Sequence, residues 1–388
     1  MSNRRILIVV KTFLPVSETF ILDQIAAMQQ NYEVHVVCSM LSGDMAFPEE
    51  RLYVTGQPGK TALMVRKLFE NGLTNIIFQN KKDRDLLRII DEVNPACMVV
   101  HFGTNLMFNP FLKKISIPVC VWFHGYDASG AFHRYGGYRK ILLSMLDQKH
   151  IYPVFVSKGL KDIFESHIGW EIPGDIHYLG ISLSLAKSFQ KTEKTRSPNQ
   201  PYHFLQAGRL VEKKGHLQTL EALHTFRQRH PEIKWKYTII GSGPMEKLIE
   251  QSIIRLKLQD HILMLPEMPR NQLIPFLMEA DLFLQHSITG SDGDSEGMSV
   301  ILMEAMLMEM TVISTRHSGI IELIEDKKEG YLCNPEDISS YADGIYNGIS
   351  KPLGSAAKQK IERSFDNEIH QLRFFEWLER RCNLAESI

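Results

Sequence analysis

The chain has 388 residues, 44% apolar and 23% charged, and its formal net charge is −1. That balance describes an ordinary soluble globular protein of about two domains. It excludes a bulk electrostatic pull toward nucleic acid. No run reaches the ~18 apolar residues of a membrane span, and the opening MSNRRILIVVKTF reads as a strand whose apolar run is too short for a secretory signal. Five scattered cysteines without a C-x-x-C pairing suit reduced, packed thiols in a cytosol and argue against structural zinc.

Arg5–Val10 and Val34–Cys38 read as buried parallel strands with a helix from Glu18 to Gln29 between them. The alternation continues with CMVVHF (97–102), VCVWFHGYD (119–127) and PVFVS (153–157). Such a rhythm predicts a doubly wound parallel sheet, whose ligands bind beyond the carboxyl ends of the strands. His101, His124 and Asp127 fall at those ends. Polar, aperiodic residues 187–201 mark a linker. The rhythm then restarts with HFLQAGRL (203–210), KYTIIGSGP (236–244), HILML (261–265), DLFLQ (281–285), TVIST (311–315) and EGYLC (329–333). The expected organisation is therefore α/β: a Rossmann-like domain over 1–186, a second over 202–365, and an amphipathic C-terminal helix, 366–388, crossing back to the first. Two such halves facing each other make a cleft, the default binding site.

Residues 291–310, SDGDSEGMSVILMEAMLMEM, carry the most information. A polar glycine-bearing segment runs into a block of helix formers, which predicts a helix from about Met298, apolar nearly all round and therefore buried. The free N–H groups and dipole at such a helix start favour an anion. Glu296 stands just before the helix. Glu304 lies about 9 Å further along, at 1.5 Å per residue. A diphosphate on the helix start would have one acid on either side, which is the layout of a nucleotide-sugar. The plainer alternative is a solvated loop acid and a satisfied helix residue, although an acid in so apolar a helix needs a partner.

Gly208-Arg209 ends one strand, and Lys214-Gly215 follows before a helix. These two cations are able to neutralise a diphosphate without a metal, or are simply basic surface residues. Gly241 and Gly243, in GSGP, form a tight turn that lets a ligand approach the backbone. Asp292-Gly293-Asp294 raises metal binding as a rival, but a solvated turn or a contact to hydroxyls is expected instead. His124, in HGYD, is either a packed core group or a hydrogen-bond partner for a sugar hydroxyl. Residues 51–90 hold eight Lys or Arg against three acids. They form either a helix packed on the sheet with a solvated basic face or one that lies on an anionic membrane.

Together, GRLVEKKG (208–215), IIGSGP (239–244), EGMSVILMEAM (296–306), TVIST and HSGIIELI (317–324) resemble family 4 retaining glycosyltransferases of the GT-B fold. Glu296 and Glu304 form that group's Glu-x7-Glu pattern. The resemblance is strong from 203 to 335 and looser before. SETFILDQI (17–25), HGYD and DGDSEG (292–297) look most like the branch that builds bacterial exopolysaccharide, capsule or O-antigen, of the colanic acid and amylovoran type. Two departures stand out: FLPVSET replaces the Gly-Gly loop after the first strand, and Ser299 stands where this branch often has proline.

The resemblance implies roles. Arg209 and Lys214 hold the leaving diphosphate, with Gly208, Gly241 and Gly243 shaping the donor site. Glu296 and the amides of Gly297, Met298, Ser299 and Val300 face sugar and phosphates, Glu304 faces the ribose, and His124 lies near the reacting carbon. The acceptor side is expected to include Ser17, Glu18, Thr19, His101 and Asp127. No metal and no cofactor are expected. The implied protein is cytoplasmic, with a peripheral inner-membrane contact through 51–90. It transfers a sugar, from a UDP- rather than a GDP-linked donor, to a polyprenyl-diphosphate-linked oligosaccharide. A nucleotide-sugar 2-epimerase and a non-catalytic nucleotide-sugar-binding partner are the competing readings. Base and sugar identity would rest on loop contacts around Pro266–Arg270.

Overall fold

The computed structural model describes residues 4–13, 18–42, 47–56, 81–184, 200–382 and 384. Ser17, most of the expected linker at 187–201 and residues 57–80 of the basic stretch lie outside the described residues. The chain forms two compact units: Met1–Tyr178 with Asp292–Asp294 and His370–Ile388, and Leu179–Ser291 with Ser295–Ile369.

In the first unit the strands are β1 (Arg5–Val9), β2 (Glu33–Cys38), β3 (Leu52–Val54), β4 (Cys97–His101), β5 (Val119–Phe123), β6 (Ile151–Phe155) and β7 (Asp175–Ile176). They lie in the order β3-β2-β1-β4-β5-β6-β7, every neighbouring pair parallel. Continuous aliphatic runs such as RILIV and CMVVH suit strands covered on both faces. The helix Lys158–Ile168 shows both end signals: the Ser157 hydroxyl accepts from Leu160 N at 3.1 Å, and Gly169 closes it at φ +95°. Along Lys81–Val93, Leu86, Ile89, Ile90 and Val93 form a buried stripe at helical spacing. That part of the basic stretch therefore packs into the core. Phe374 and Trp377, on the C-terminal helix Asn367–Arg381, put their rings against Trp122 at 4.9 Å and Tyr152 at 6.3 Å.

The second unit repeats the scheme with β8 (Tyr202–Ala207), β9 (Trp235–Ile240), β10 (Ile262–Leu265), β11 (Leu282–Leu284), β12 (Thr311–Thr315) and β13 (Gly330–Cys333). Its parallel order is β10-β9-β8-β11-β12-β13. The direction of winding reverses between β8 and β11, and doubly wound sheets bind ligands beyond the strand ends at that reversal. One glycine fixes the loop there: Gly215 has φ +62°, and a Cβ on it would lie 1.6 Å from the His286 carbonyl oxygen. All five cysteines are buried free thiols. Among the described residues no helix is long and apolar enough to cross a membrane.

Candidate active site

The loops leaving β8 and β11 meet at the reversal point. From the first, Lys214 Nζ reaches Glu296 Oε2 on the second at 3.0 Å, with side chains only 12% and 10% exposed. Lys214 Nζ also points at Gln285 Oε1, 3.5 Å away. Burial pushes the Glu296 carboxyl up, but the Lys214 and Lys213 ammonium groups more than offset it and hold it at about 2. Burial lowers the Lys214 ammonium in turn, only partly countered by Glu296, and the nearby Arg209 charge adds to the lowering. The result is a concentrated, poorly hydrated pair of opposite charges. Arg209 itself is exposed.

The helix starts at Val300, not at the expected Met298, and runs to Leu307. Ser299 stays extended as its N-cap, at φ −84° and ψ 99°, and makes no capping hydrogen bond. Its hydroxyl instead accepts from Gln285 Nε2 at 3.3 Å, and that amide also donates to Ser287 Oγ at 2.8 Å. First-turn N–H groups have no intrahelical acceptor, so Val300 and Ile301 present amides beside the buried segment Ser295–Ser299, which includes Gly297 and Met298.

Glu304 is buried inside that helix among Leu302, Met303, Ala305, Met306 and Leu307. Its partner is Arg270, whose Nε lies 2.6 Å from Glu304 Oε1. Arg270 opens another helix, Arg270–Glu279. Sequence reasoning placed that residue only in a specificity loop and missed the pairing. The signal was present as the need of a buried acid for a cation, but spacing could not say which one.

The glycines shape the backbone beside these strands. Gly208 N donates to Ile240 O at 2.9 Å and Gly241 N to Leu265 O at 3.0 Å, so neither amide is left for a ligand. Gly241 instead lets two backbones cross, since a Cβ on it would sit 2.0 Å from Gly208 O. Gly243 lets the backbone pass close to Leu210, since a Cβ on it would sit 2.5 Å from Leu210 O. Asp292 and Asp294 form a local turn, with Asp294 N donating to Asp292 Oδ1 at 3.0 Å. Among the described residues no group of three or more His, Cys, Asp or Glu is arranged to hold a metal ion.

Two further contacts, also missed, latch the loop that carries Glu296. Glu212 Oε2 accepts from Ser291 N at 2.9 Å and from Ser291 Oγ at 2.6 Å. Lys213, buried, donates from Nζ to Ser295 O at 3.2 Å, while its carbonyl accepts from Ile288 N at 3.0 Å.

In the first unit, His101 Nδ1 and His124 Nε2 share a hydrogen bond of 3.1 Å. Burial pushes His101 down to about 3, and burial plus the His101 ring drives His124 well below its usual range. Both are neutral near pH 7, so one ring donates and the other accepts. Phe20, Phe102 and Trp122 wall the His124 ring at 4.8, 4.7 and 5.9 Å. His124 is thus a neutral hydrogen-bonding group.

Asp127, expected on the acceptor side, holds a tight turn together. Its carboxylate accepts from Gly103 N at 2.7 Å and from His124 N and Gly125 N at 3.0 Å, so its oxygens are spent on the turn. Burial raises its pKa in spite of these bonds. Asp127→Ala would orphan three backbone donors, those of Gly103 and Gly125 buried and that of His124 partly so, each worth ~1–3 kcal/mol, and is expected to lower stability by about 3 kcal/mol in urea unfolding. A loss below ~1 kcal/mol would contradict the clamp. Glu18 caps the helix Thr19–Met28 by position only, without a side-chain capping bond, and Thr19 is its first residue.

Residues 188–364, nearly all of them within the second unit, match the family description "Glycosyl transferases group 1". The putative colanic acid biosynthesis glycosyltransferase WcaL of Escherichia coli (strain K12) is 33% identical over 180 residues, 45% of this chain and 44% of that protein. The amylovoran biosynthesis glycosyltransferase AmsK of Erwinia amylovora is 37% identical over 188 residues, 47% of this chain and 46% of that protein. The match thus spans less than half of the length of these curated relatives. Among solved structures, Anabaena Alr3699/HepE in complex with UDP-glucose superposes with a TM-score of 0.75 at 18% identity, covering 97% of this chain and 99% of that one. Sucrose-phosphate synthase from Thermosynechococcus elongatus gives a TM-score of 0.76 at 14% identity, covering 98% and 100%. At such identities the likeness shows the fold, which is the GT-B fold expected from the sequence.

Proposed function

We propose that this protein is a glycosyltransferase of exopolysaccharide biosynthesis that moves a sugar, with retention of configuration, from a UDP-sugar to a polyprenyl-diphosphate-linked oligosaccharide. The observation that carries the reading is the buried Lys214–Glu296 pair, 3.0 Å apart, beside the open amides of the helix Val300–Leu307. A diphosphate fits that setting because it offers Lys214 a second anion and offers the helix start a charge that water hydrates poorly there. The names of the relatives point to cell-surface polysaccharides, and one neighbour of the same fold holds UDP-glucose.

On this reading Lys214 and Arg209 take the β-phosphate as the C1–O bond to the diphosphate breaks, its electron pair leaving with the phosphate oxygen. Charge grows on that oxygen while the sugar ring becomes oxocarbenium-like. Fixed cations and peptide dipoles that need no reorganisation stabilise that charge best. The acceptor hydroxyl adds to C1 on the face the diphosphate left, and its proton passes to the departing phosphate oxygen. Glu296, bound in its ion pair, is not assigned as a nucleophile. Glu304 accepts from ribose hydroxyls, and neutral His124 is assigned a hydrogen bond to the transferred sugar. The site needs no divalent ion, because the protein supplies the counter-charge.

The test is transfer from UDP-sugars to a synthetic polyprenyl-diphosphate saccharide in EDTA, with the anomeric configuration of the product read by NMR. Retained configuration is expected. An inverted product, or an epimerised nucleotide-sugar formed without acceptor, would overturn the assignment.

A further inference from the structure

Lys214 cannot serve a diphosphate and remain wholly committed to Glu296. When it turns to the phosphates, Glu296 is a carboxylate 7% exposed that has lost its nearest cation, a state that costs several kcal/mol unless another charge compensates. Lys213 is placed to do so. It is itself only 6% exposed, and its ammonium is tied to Ser295 O at 3.2 Å, one residue before Glu296. Its backbone carbonyl holds Ile288 N at the other end of the same loop. A lysine so buried is rare unless paired or hydrogen-bonded, and a solvent-facing role for it is excluded by its position.

We infer that Lys213 is a positioning residue that latches the Glu296 loop and keeps a fixed positive charge beside that carboxylate while Lys214 is engaged with the diphosphate. The inference rests on the donor-site reading above. Division of labour between the adjacent lysines follows from exchange: Lys214 swaps anions, and Lys213 does not. The charged and titratable groups around Glu296 are Lys214 at 3.0 Å, Lys213 and His317. The His317 ring is anchored to Thr289 Oγ1 at 3.1 Å, and Thr289 in turn to Ser295 Oγ at 3.3 Å. Glu212, on the 3-10 turn Glu212–Lys214 that also carries both lysines, is occupied with Ser291.

The experiment is titration calorimetry of UDP binding at pH 6, in two buffers of different ionisation enthalpy, which counts protons taken up. The terminal phosphate of UDP itself titrates near pH 6, so wild type sets the reference proton balance. Lys213→Gln keeps a side-chain donor but removes the charge, so UDP binding should now take up more protons than in wild type as Glu296 protonates. Lys213→Arg should restore the wild-type balance, and adding Glu296→Gln to Lys213→Gln should abolish the extra uptake, which excludes His317 as its source. A proton balance in Lys213→Gln equal to that of wild type would overturn the inference, as would extra uptake that persists in the double variant. Failure of wild type to bind either UDP or GDP would instead overturn the donor-site reading.

Discussion

Lys214→Met is expected to lower kcat for sugar transfer by roughly 10²–10³-fold, the scale of removing one fixed donor to a developing oxyanion. Methionine fills a similar volume without the charge, so the change isolates electrostatics from packing. The same substitution should cost about 3–5 kcal/mol of stability, the usual cost of stripping one partner from a buried ion pair. Lys213 should hold the loss toward the low end of that range. The pH dependence has a definite sign. Glu296 is held at about 2, below its ordinary 4.5, so its pairing stabilises the fold fully above the unfolded value and is lost as pH falls through 4.5 toward 2. Lys214→Met should therefore flatten the acid side of the stability profile. Near wild-type turnover in a folded Lys214→Met protein would remove that residue from its assigned role.

Glu304→Gln is expected to raise the donor KM about tenfold or more with little change in kcat. A ribose contact is made equally in ground and transition states, so its weakening appears in binding, and trading a charged acceptor for a neutral one costs about 1–1.5 kcal/mol. Arg270→Met should behave differently. It leaves a carboxylate inside an apolar helix without the cation 2.6 Å away, a loss of about 3–5 kcal/mol. Joining the two changes should recover much of that stability, because the acid needing compensation is gone, and such non-additivity is the mark of a direct pair. A double variant no more stable than Arg270→Met alone, or an unchanged donor KM in Glu304→Gln, would sever Glu304 from the ribose.

Much of the fold was legible because aliphatic runs alternate with helical stretches in both halves, and each becomes a parallel sheet wound outward from its first strand. Glu296 and Lys214 were legible for a local reason: each lies in a short motif next to a strand or helix end, where charge has a known use. The pairing of Glu304 with Arg270 was not, since tertiary contact between the interior of one helix and the start of another leaves no trace in periodicity. The structural part played by Asp127 was hidden for a related reason: the letters HGYD do not show that the chain turns so tightly that three backbone amides converge on the carboxylate. Nor do the letters show that the amides of Gly208 and Gly241 bond to neighbouring strands. The helix starts at Val300, within two residues of the expected position, and the Ser299 hydroxyl accepts from Gln285 instead of capping it. Ser17 and the basic stretch 57–80 fall outside the described residues.

The central claim is that protein charge and peptide dipoles grip a diphosphate at the start of the helix Val300–Leu307. A crystal structure of the protein with UDP, grown in EDTA, examines it most directly. The account predicts diphosphate oxygens within hydrogen-bond distance of Lys214 Nζ and the Val300 or Ile301 amide, with Arg209 folded onto them. A diphosphate bound away from this helix start, or one that appears only when a divalent cation is supplied, would contradict it.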